Sequence, residues 1–301
     1  MIDHAGSTAP GAPVRNLLEE LAPHALALVW LGHASVLAAL GDRTIAVDPV
    51  FSARIGPRIF GRTWGLSRRS PPPVPASTLA GIDLILLTHA HFDHLDRPTL
   101  RAIASDKTTV VAPERCASLV PSGFKNVVEL SPGQSLDHGG VRIHALATRH
   151  WGARMVFDRG RGALAYAVAH EEGSILFAGD TAYTGEIARA TEVVGPLDVA
   201  AFGVGAYNPW EHMHATPEQV WRMFVGLGAR FLLPIHHSTF ELSDEPLDEP
   251  LRRLIDSAGE DAARVLTASI GEIAVVSRAE VEGAPAPAVD PSDLSPGEMP
   301  H

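Results

Sequence analysis

The densest group of metal-binding side chains in the sequence is the run His89-Ala90-His91-Phe92-Asp93-His94. Imidazole and carboxylate groups suit zinc and comparable divalent cations, and such a run can converge on one or two metals. A surface cluster of polar loop residues is the alternative, but a chance HxHxDH directly after an apolar strand is improbable. Alternation along the turn can direct His89 and His91 one way and Asp93 and His94 another.

These side chains do not complete two metal sites, so further histidines or carboxylates are expected at other strand ends. Three candidates are present, because His150, Asp180 and His236 each follow an apolar run that gives way to a loop. Each of them alone is better explained as a hydrogen-bonded turn residue. Their order and context, taken with the HxHxDH run, favour ligands.

Short β-branched runs alternating with helical patterns predict the strands that hold these ligands. Leu84–Thr88 is the predicted strand that ends at His89. The other predicted strands are Leu26–Leu31, Ser35–Leu40, Thr44–Asp48, Thr108–Ala112, Val141–Leu146, Leu164–Val168, Ile175–Ala178, Val199–Phe202 and Phe231–Ile235. Two sheets with outer helices, an α/β fold, fit this pattern.

Two helix starts and one long loop complete the local prediction. A helix is expected to begin near Pro98, and a second at Thr216, where Gln219 can complete a capping box. His214 therefore lies just ahead of a helix. The segment Ser52–Leu79 has little periodicity and many arginines, which predicts a long loop.

The chain is expected to form one catalytic domain over residues 23–280. Residues 1–22 form an N-terminal extension that ends in a short apolar helix candidate. Residues 281–301 form a proline-rich acidic tail, for which we expect disorder.

Composition narrows the classes of function. A net charge of −11 argues against a nucleic-acid partner, and no stretch has the roughly 20 apolar residues of a transmembrane helix. The opening residues lack the basic start and apolar core of a signal peptide, and the single Cys116 cannot form an internal disulfide. Both facts favour a cytoplasmic protein. The sequence leaves the oligomeric state open.

With these residues in place, the sequence resembles the metallo-β-lactamase superfamily, whose fold is a four-layer αββα sandwich with a metal site at one edge. The HxHxDH run is the most specific mark of the resemblance. It implies one metal held by His89, His91 and His150, another held by Asp93, His94 and His236, and Asp180 as the bridge. The expected cofactors are two divalent metal ions, with zinc as the first expectation and iron or manganese also compatible.

A narrower resemblance covers roughly residues 26–246 and points to the branch containing N-acyl-phosphatidylethanolamine-hydrolysing phospholipase D and the ascorbate-phosphate lactonases. The sequence segments on which this resemblance rests are Trp30–Ser35, Asp48–Phe51, Pro71–Pro73, His150–Arg154, Gly205–Pro209 and Ser238–Phe240. This resemblance implies that His214 faces the substrate near the metals. The sequence departs from the branch at His237 and Ser238, where an aromatic residue and Gly are common.

Several other residues are candidates for supporting roles. His33 and Asp48 are candidates to orient ligating imidazoles, with plain turn residues as an equal alternative. Trp151 and Tyr207 are candidates for a pocket wall, although core packing is the favoured interpretation. His237, next to a predicted ligand, is a further pocket candidate or a bystander.

The remaining polar residues carry weaker signals. His138, His144 and His170 lack the context of a ligand. Cys116 is expected to be structural. Five arginines of the long loop could attract an anionic substrate, although a solvated loop explains them better: Arg54, Arg58, Arg62, Arg68 and Arg69.

These residues predict a dinuclear metal-dependent hydrolase. Two cations roughly 3.5–4 Å apart can share a water and lower its pKa to about 7, which supplies a metal-bridging hydroxide. Asp93 is a candidate to orient that hydroxide, and His214 to stabilise charge or protonate the leaving group. The first hypothesis is a phospholipase D-like phosphodiesterase acting on a small-molecule or lipid substrate. A lactone or other carboxylic ester hydrolase is the alternative, and a non-catalytic metal-binding protein is the third hypothesis.

Overall fold

The computed structural model describes residues 15–155, 158 and 160–277 of the chain. The helices are short: α1 (Leu17–Leu21), α2 (Arg97–Ile103), α3 (Arg189–Val194), α4 (Pro217–Leu227) and α5 (Glu249–Ala258). Turns of 3-10 helix lie at Ala76–Leu79, Ala117–Leu119, Glu186–Ala188 and Gly259–Arg264.

Strands make up most of the regular structure. In chain order they are β1 (Leu26–Gly32), β2 (Ser35–Leu40), β3 (Arg43–Val47), β4 (Arg54–Ile55), β5 (Arg58–Ile59), β6 (Arg62–Thr63), β7 (Leu66–Ser67), β8 (Leu84–Leu86), β9 (Thr109–Pro113), β10 (Asn126–Leu130), β11 (Ser135–His138), β12 (Val141–Ala147), β13 (Leu164–His170), β14 (Gly173–Phe177), β15 (Val199–Gly203), β16 (Phe231–Ile235) and β17 (Ile273–Val275).

Two large sheets contain thirteen of these strands. The first sheet has the order β10-β9-β8-β3-β2-β1-β17, and the second has the order β11-β12-β13-β14-β15-β16. Neighbours run parallel from β3 through β8 and β9 to β10, and again from β14 through β15 to β16. The other neighbours in both sheets pair antiparallel.

Both faces of each large sheet are buried, which produces four layers. In β1, Leu28 and Trp30 pack into the core between the sheets, whereas Ala27 and Val29 belong to an outer cluster with residues of α1 and α2. Helices α3, α4 and α5 cover the second sheet. Successive side chains of a strand point to opposite faces, so a strand covered on both sides is apolar throughout. The predicted αββα sandwich is confirmed.

The ten predicted strands are all present, and the structure adds others. β10 and β11 lie at sheet edges with several exposed side chains, so their apolar signal is weak. The segment Ser52–Leu79, predicted as a loop, contains two short ladders, β4 with β7 and β5 with β6. Ladders of two residues per strand are too short to show a period in the sequence.

The predicted helix starts are confirmed. The helix expected near Pro98 is α2, and Thr216 caps α4 through a capping box with Gln219. Helix α1 lies in the predicted N-terminal extension, whereas residues 1–14 and the acidic tail 281–301 fall outside the described residues. Among the described helices, none combines the length and apolarity needed to cross a bilayer.

Candidate metal centre

The HxHxDH turn follows strand β8, and backbone hydrogen bonds within the turn fix its conformation. His94 and Leu95 donate their N–H groups to the carbonyl of His91 at 3.2 and 2.9 Å. Leu164 of the second sheet donates to the carbonyl of Thr88 at 2.9 Å. The turn therefore begins where the two sheets meet.

Three strands of the second sheet bring the other predicted ligands to the same place. Strands β12, β14 and β16 run in one direction, and His150, Asp180 and His236 follow their carboxyl ends. The backbone N–H of His236 donates to the carbonyl of His33 at 2.9 Å, so the ends of β1 and β16 also meet. All seven predicted ligands converge at one edge of the sandwich.

Two glycines allow the loops to approach this closely. Gly179 has a φ of +60°, and a Cβ there would lie 2.9 Å from the Cβ of Thr88. A Cβ on Gly205 would lie 2.4 Å from the carbonyl oxygen of His236. Any larger residue at either position would displace the chain beside Asp180 or His236.

Three residues at this edge adopt a left-handed backbone conformation. The φ angles of His33, Asp48 and His236 are +53°, +41° and +62°. Such conformations cost on the order of 1–3 kcal/mol each for a non-glycine residue and tend to cluster at functional sites.

The first group of donor atoms comes from three histidines and one carboxylate. Nδ1 of His91 lies 2.8 Å from Nε2 of His89 and 3.2 Å from Nε2 of His150. Oδ2 of Asp180 lies 3.8 Å from Nε2 of His89 and 3.9 Å from Nε2 of His150. These four side chains offer donor atoms that all lie within 4.8 Å of one another.

The second group lies on the other side of Asp180. Nε2 of His94 and Nε2 of His236 lie 3.1 and 3.2 Å from Oδ2 of Asp180. Oδ2 of Asp93 lies 3.7 Å from Nε2 of His94 and 3.4 Å from Nε2 of His236. One oxygen of Asp180 therefore faces histidines of both groups, which is the position of a bridging ligand.

Hydrogen bonds to the Nδ1 atoms of three histidines orient the rings so that their Nε2 atoms face the centre of the cluster. Nδ1 of His94 lies 2.6 Å from Oδ2 of Asp48, and Nδ1 of His89 lies 3.0 Å from the hydroxyl of Thr88. Nδ1 of His150 lies 3.2 Å from the carbonyl of Met213. Each partner accepts a hydrogen bond from the Nδ1–H group, since the Thr88 hydroxyl itself donates to Asp48. The three Nε2 atoms are left to bind a cation.

His33 supports the carboxylate of Asp93. Its Nε2 lies 2.9 Å from Oδ2 of Asp93. One donor atom of His33 also lies within 4.8 Å of donor atoms of Asp93, His94 and His236. Burial lowers the pKa of His33 to about 3, so the ring is neutral and donates one hydrogen bond to the carboxylate. Its own position is fixed by a bond from its backbone N–H to the hydroxyl of Thr239 at 2.8 Å.

Two histidines of the cluster hold protons that a divalent cation could replace. Burial lowers the pKa of His89 well below 6.5 and that of His150 to about 3, so both are neutral. Burial opposes ionisation of Asp180, but His236 and His94 hold the pKa of its carboxyl well below 3.8. Burial also opposes charge on His94 and His236, yet the surrounding carboxylates, Asp180 foremost, together raise both pKa values, for His236 to about 9. Divalent cations would replace the protons held there.

The donor atoms fit divalent metal ions in spacing as well as in type. Around a tetrahedral zinc with bonds of about 2.0–2.1 Å, donor atoms lie about 3.3 Å apart. Nε2 of His94 and Nε2 of His236 are buried and have no hydrogen-bond partner among the described residues. A divalent cation that displaced their protons would be coordinated by the two Nε2 lone pairs.

A cavity of about 480 Å³ opens onto this cluster. His214, the predicted substrate-facing residue, lines it, and Nδ1 of His214 lies 3.8 Å from Oδ2 of Asp180. Trp151 is 41% exposed and also lines the cavity, so the favoured interpretation of Trp151 as a core residue is wrong. The cavity is also lined by Ala206, Trp210, His212, Met213 and Leu242.

The other predicted candidates lie farther from the donor atoms. Tyr207 is buried, and its hydroxyl donates to Glu249 at 2.7 Å. His237 is buried, with its ring stacked on Trp30 at 4.5 Å. Thr88, which the sequence did not single out, is a hydrogen-bond partner of the cluster. Only the position after a buried strand could have indicated it.

The remaining histidines and the cysteine stand apart from the donor groups. The groups found among the described residues leave out His138, His144 and His170. Cys116 is buried in the outer core of the first sheet, where burial raises the pKa of its thiol to about 12. The thiol is therefore un-ionised at neutral pH.

Comparison with known proteins identifies the family. The family model described as the beta-lactamase superfamily domain matches residues 43–237. An uncharacterized protein of Mycobacterium tuberculosis is 30% identical over 248 residues, which cover 77% of this chain. The chain spans 64% of the length of that relative.

Two further proteins are similar in sequence or in structure. The N-acyl-phosphatidylethanolamine-hydrolyzing phospholipase D 1 of Caenorhabditis elegans is 29% identical, covering 87% of this chain and 79% of its own. The crystal structure of a possible metal-dependent hydrolase from Veillonella parvula has a TM-score of 0.67 at 16% identity, covering 83% of this chain and 99% of its own. The second similarity concerns the fold alone.

The fold, the cluster and the family model agree, and the chain belongs to the metallo-β-lactamase superfamily. Its groups of His and Asp side chains could hold metal ions.

Proposed function

We propose that the protein hydrolyses phosphodiesters with two divalent metal ions. The observation that carries the proposal is the position of Asp180, whose Oδ2 lies between 3.1 and 3.9 Å from Nε2 atoms in both donor groups. The proposed ligands of the first ion are His89, His91 and His150, those of the second are Asp93, His94 and His236, and Asp180 is shared. Zinc suits this set, as do iron and manganese.

Two ions in such a site would supply a hydroxide nucleophile at neutral pH and would stabilise charge that develops on the substrate oxygens. The chain's own residues then orient the reactants. Asp93 accepts a hydrogen bond from His33 and belongs to the second donor group, which supports a role in orienting the attacking oxygen. The fixed partners Asp48 and Thr88 keep the imidazoles from rotating, which preserves this geometry without reorganisation.

His214 is the proposed contact to the leaving group. Burial lowers its pKa to about 4, so at neutral pH the ring is uncharged and carries a proton on one nitrogen only. It can donate a hydrogen bond to a substrate oxygen in the cavity. The role as a hydrogen-bond donor is favoured over that of a charged acid, because little imidazolium is present at pH 7.

The cavity wall supports a substrate with an apolar portion. Trp151, Trp210, Met213 and Leu242 line it together with the candidate ligands. Side chains of this kind bind apolar groups next to a few polar contacts that fix orientation. The C. elegans relative is named for hydrolysis of N-acyl-phosphatidylethanolamine, a phosphodiester with acyl chains, and this supports the phosphodiester over the lactone.

Turnover by the metal-reconstituted protein tests the proposal. We expect hydrolysis of bis(p-nitrophenyl) phosphate and of a glycerophospholipid, each faster relative to background than the opening of a simple lactone. The matched control is Asp180→Asn, which retains the cavity wall but weakens the shared ligand. Efficient lactone opening with every phosphodiester inert, in protein that retains its metal, would overturn the phosphodiesterase assignment.

A further inference from the structure

A second cavity, of about 240 Å³, lies on the other side of the HxHxDH turn. Phe92 lines this cavity, whereas its neighbours His91 and Asp93 line the cavity at the metal centre. The wall is rich in guanidinium groups, contributed by Arg54, Arg58, Arg97, Arg101 and Arg154. Asp96 is the one carboxylate among its described lining residues. The cavity is therefore strongly cationic in a protein whose net charge is −11.

In the described part of the chain, these five arginines lack a carboxylate partner. Among the described residues, none of them lies within ion-pair distance of a carboxylate, whereas Arg142, Arg230 and Arg253 each pair with one. The carboxylate of Asp96 is engaged by the backbone N–H of Ser52 and the hydroxyl of Thr99. Unpaired cations gathered in one concave surface attract an anion of more than one charge.

One of these arginines is held in place, and a second has a buried nitrogen without a partner. Nη1 of Arg154 donates to the carbonyls of Ala90 and Leu95 at 2.9 and 2.8 Å, and the guanidinium lies 4.1 Å above the Phe92 ring. Burial lowers the pKa of Arg154 to about 10, which leaves it charged at neutral pH. Nε of Arg97 is buried and has no hydrogen-bond partner in the described part of the chain. A guanidinium fixed in this way is preorganised for the oxygens of a phosphate.

A hairpin with an apolar tip lies at the rim of this cavity. Strands β5 and β6 form it, and Arg58 and Thr63 at its base line the cavity. Phe60 at its tip is fully exposed, at 101% of the reference area. Ile59 is 47% exposed and Trp64 61% exposed. Large apolar side chains grouped in this way on a surface usually mark an interaction site.

We propose that the arginine-lined cavity and the β5–β6 hairpin bind the surface of an anionic phospholipid bilayer. The arginines hold lipid phosphate groups, while Phe60 and Trp64 enter the interface beside them. A soluble phosphate compound would neutralise the arginines but leave the apolar tip in water, so the bilayer explains both features. The proposal concerns a site separate from the metal centre and does not require the substrate to be a lipid.

Sedimentation of the full chain with lipid vesicles tests the proposal. We expect the protein to bind phosphatidylcholine vesicles that contain phosphatidylglycerol more tightly than vesicles of phosphatidylcholine alone. The double variant Arg58→Gln/Arg101→Gln should bind the anionic vesicles about 25-fold more weakly, since each basic residue near such a surface contributes about a fivefold factor. Phe60→Ser should weaken binding about tenfold through lost apolar contact. All three side chains are exposed, so the variants should fold.

The matched control is Arg222→Gln/Arg252→Gln, which removes the same charge from exposed positions on α4 and α5. It should bind vesicles like the wild type. Asp180→Asn should also bind like the wild type, so failure of hydrolysis and failure of vesicle binding are distinguishable. Equal losses in the two double variants would overturn the proposal. So would binding of glycerol 1-phosphate that matches vesicle binding and is unchanged by Phe60→Ser.

Discussion

Nδ1 of His94 lies 2.6 Å from Oδ2 of Asp48, and both side chains are buried. Asp48 also accepts bonds from the backbone N–H and the hydroxyl of Thr88, so its carboxylate is fixed on the strand that carries the HxHxDH turn. This contact directs Nε2 toward Asp180, and it would keep the remaining proton of His94 on Nδ1 when a metal binds Nε2. A carboxylate outside the donor groups thus determines how one of the proposed ligands binds.

Replacing Asp48 with Asn should weaken metal binding without removing a ligand. The amide can orient an N–H toward His94, which would reverse the required tautomer. We expect a loss of roughly 10–100-fold in metal affinity, measured by competition with a chelator. Asp106→Asn, an exposed carboxylate on another loop, is the matched control and should have no effect. Unchanged affinity in Asp48→Asn would show that the contact does not act on the metal.

Replacing Asp180 with Ala should have a larger effect than the change at Asp48. Its Oδ2 faces both donor groups, so we expect metal content and activity to fall by more than the roughly 10–100-fold produced by loss of an outer partner. His138→Ala is the control, because His138 lies outside the donor groups. Equal and small effects in the two variants would contradict the bridging assignment.

Metal binding should strengthen as the pH rises toward 9. In the metal-free protein, burial opposes charge on His236, but Asp180 and Asp93 together raise its pKa from 6.5 to about 9, and a cation must displace that proton. Affinity should therefore rise up to tenfold per pH unit for each proton released, and level off above about pH 9. Chelator competition at pH 6.5 and pH 9 measures this change. Affinity independent of pH over this range would be inconsistent with displaced protons.

The stability of the metal-free protein should change in the opposite direction. A pKa raised in the folded state contributes stability that is complete below the unfolded value of 6.5 and is lost as the pH rises through about 9. The melting temperature of metal-free protein should therefore fall over this range. The stabilisation that metal adds should grow over the same range.

The contact between Tyr166 and Leu87 should be important for stability. The buried hydroxyl of Tyr166, on β13, donates to the carbonyl of Leu87, just after β8, at 2.8 Å, which joins the two sheets near the metal centre. Tyr166→Phe would leave that carbonyl unsatisfied, at a cost of about 1–3 kcal/mol in the free energy of unfolding. Urea denaturation of metal-free protein measures the loss. Tyr183→Phe, at a half-buried position, should change stability less.

Much of the fold could be predicted from the sequence because its central strands are covered on both faces. Each such strand is a short, continuous apolar run, and the polar residue that follows it marks the edge where the candidate ligands meet. His150 and His236 were found in this way. Edge strands such as Asn126–Leu130 escaped prediction, because their exposed side chains dilute the apolar signal.

Contacts between distant parts of the chain could not be predicted in the same way. Trp151 follows His150 directly, and nothing in its neighbours shows that it lines a cavity rather than the core. The loop arginines were interpreted as solvated, but Arg54 and Arg58 share a cavity with Arg97, Arg101 and Arg154. That grouping depends on how the β5–β6 hairpin packs near α2, which is set by tertiary structure.

Elemental analysis of the reconstituted protein tests the central claim most directly. The protein is loaded with zinc at neutral pH, freed of loosely bound ions by gel filtration, and measured for metal per chain. The two donor groups that share Asp180 predict about two ions per chain. A content of one ion would contradict the dinuclear site, and a content near zero would contradict the metal centre itself.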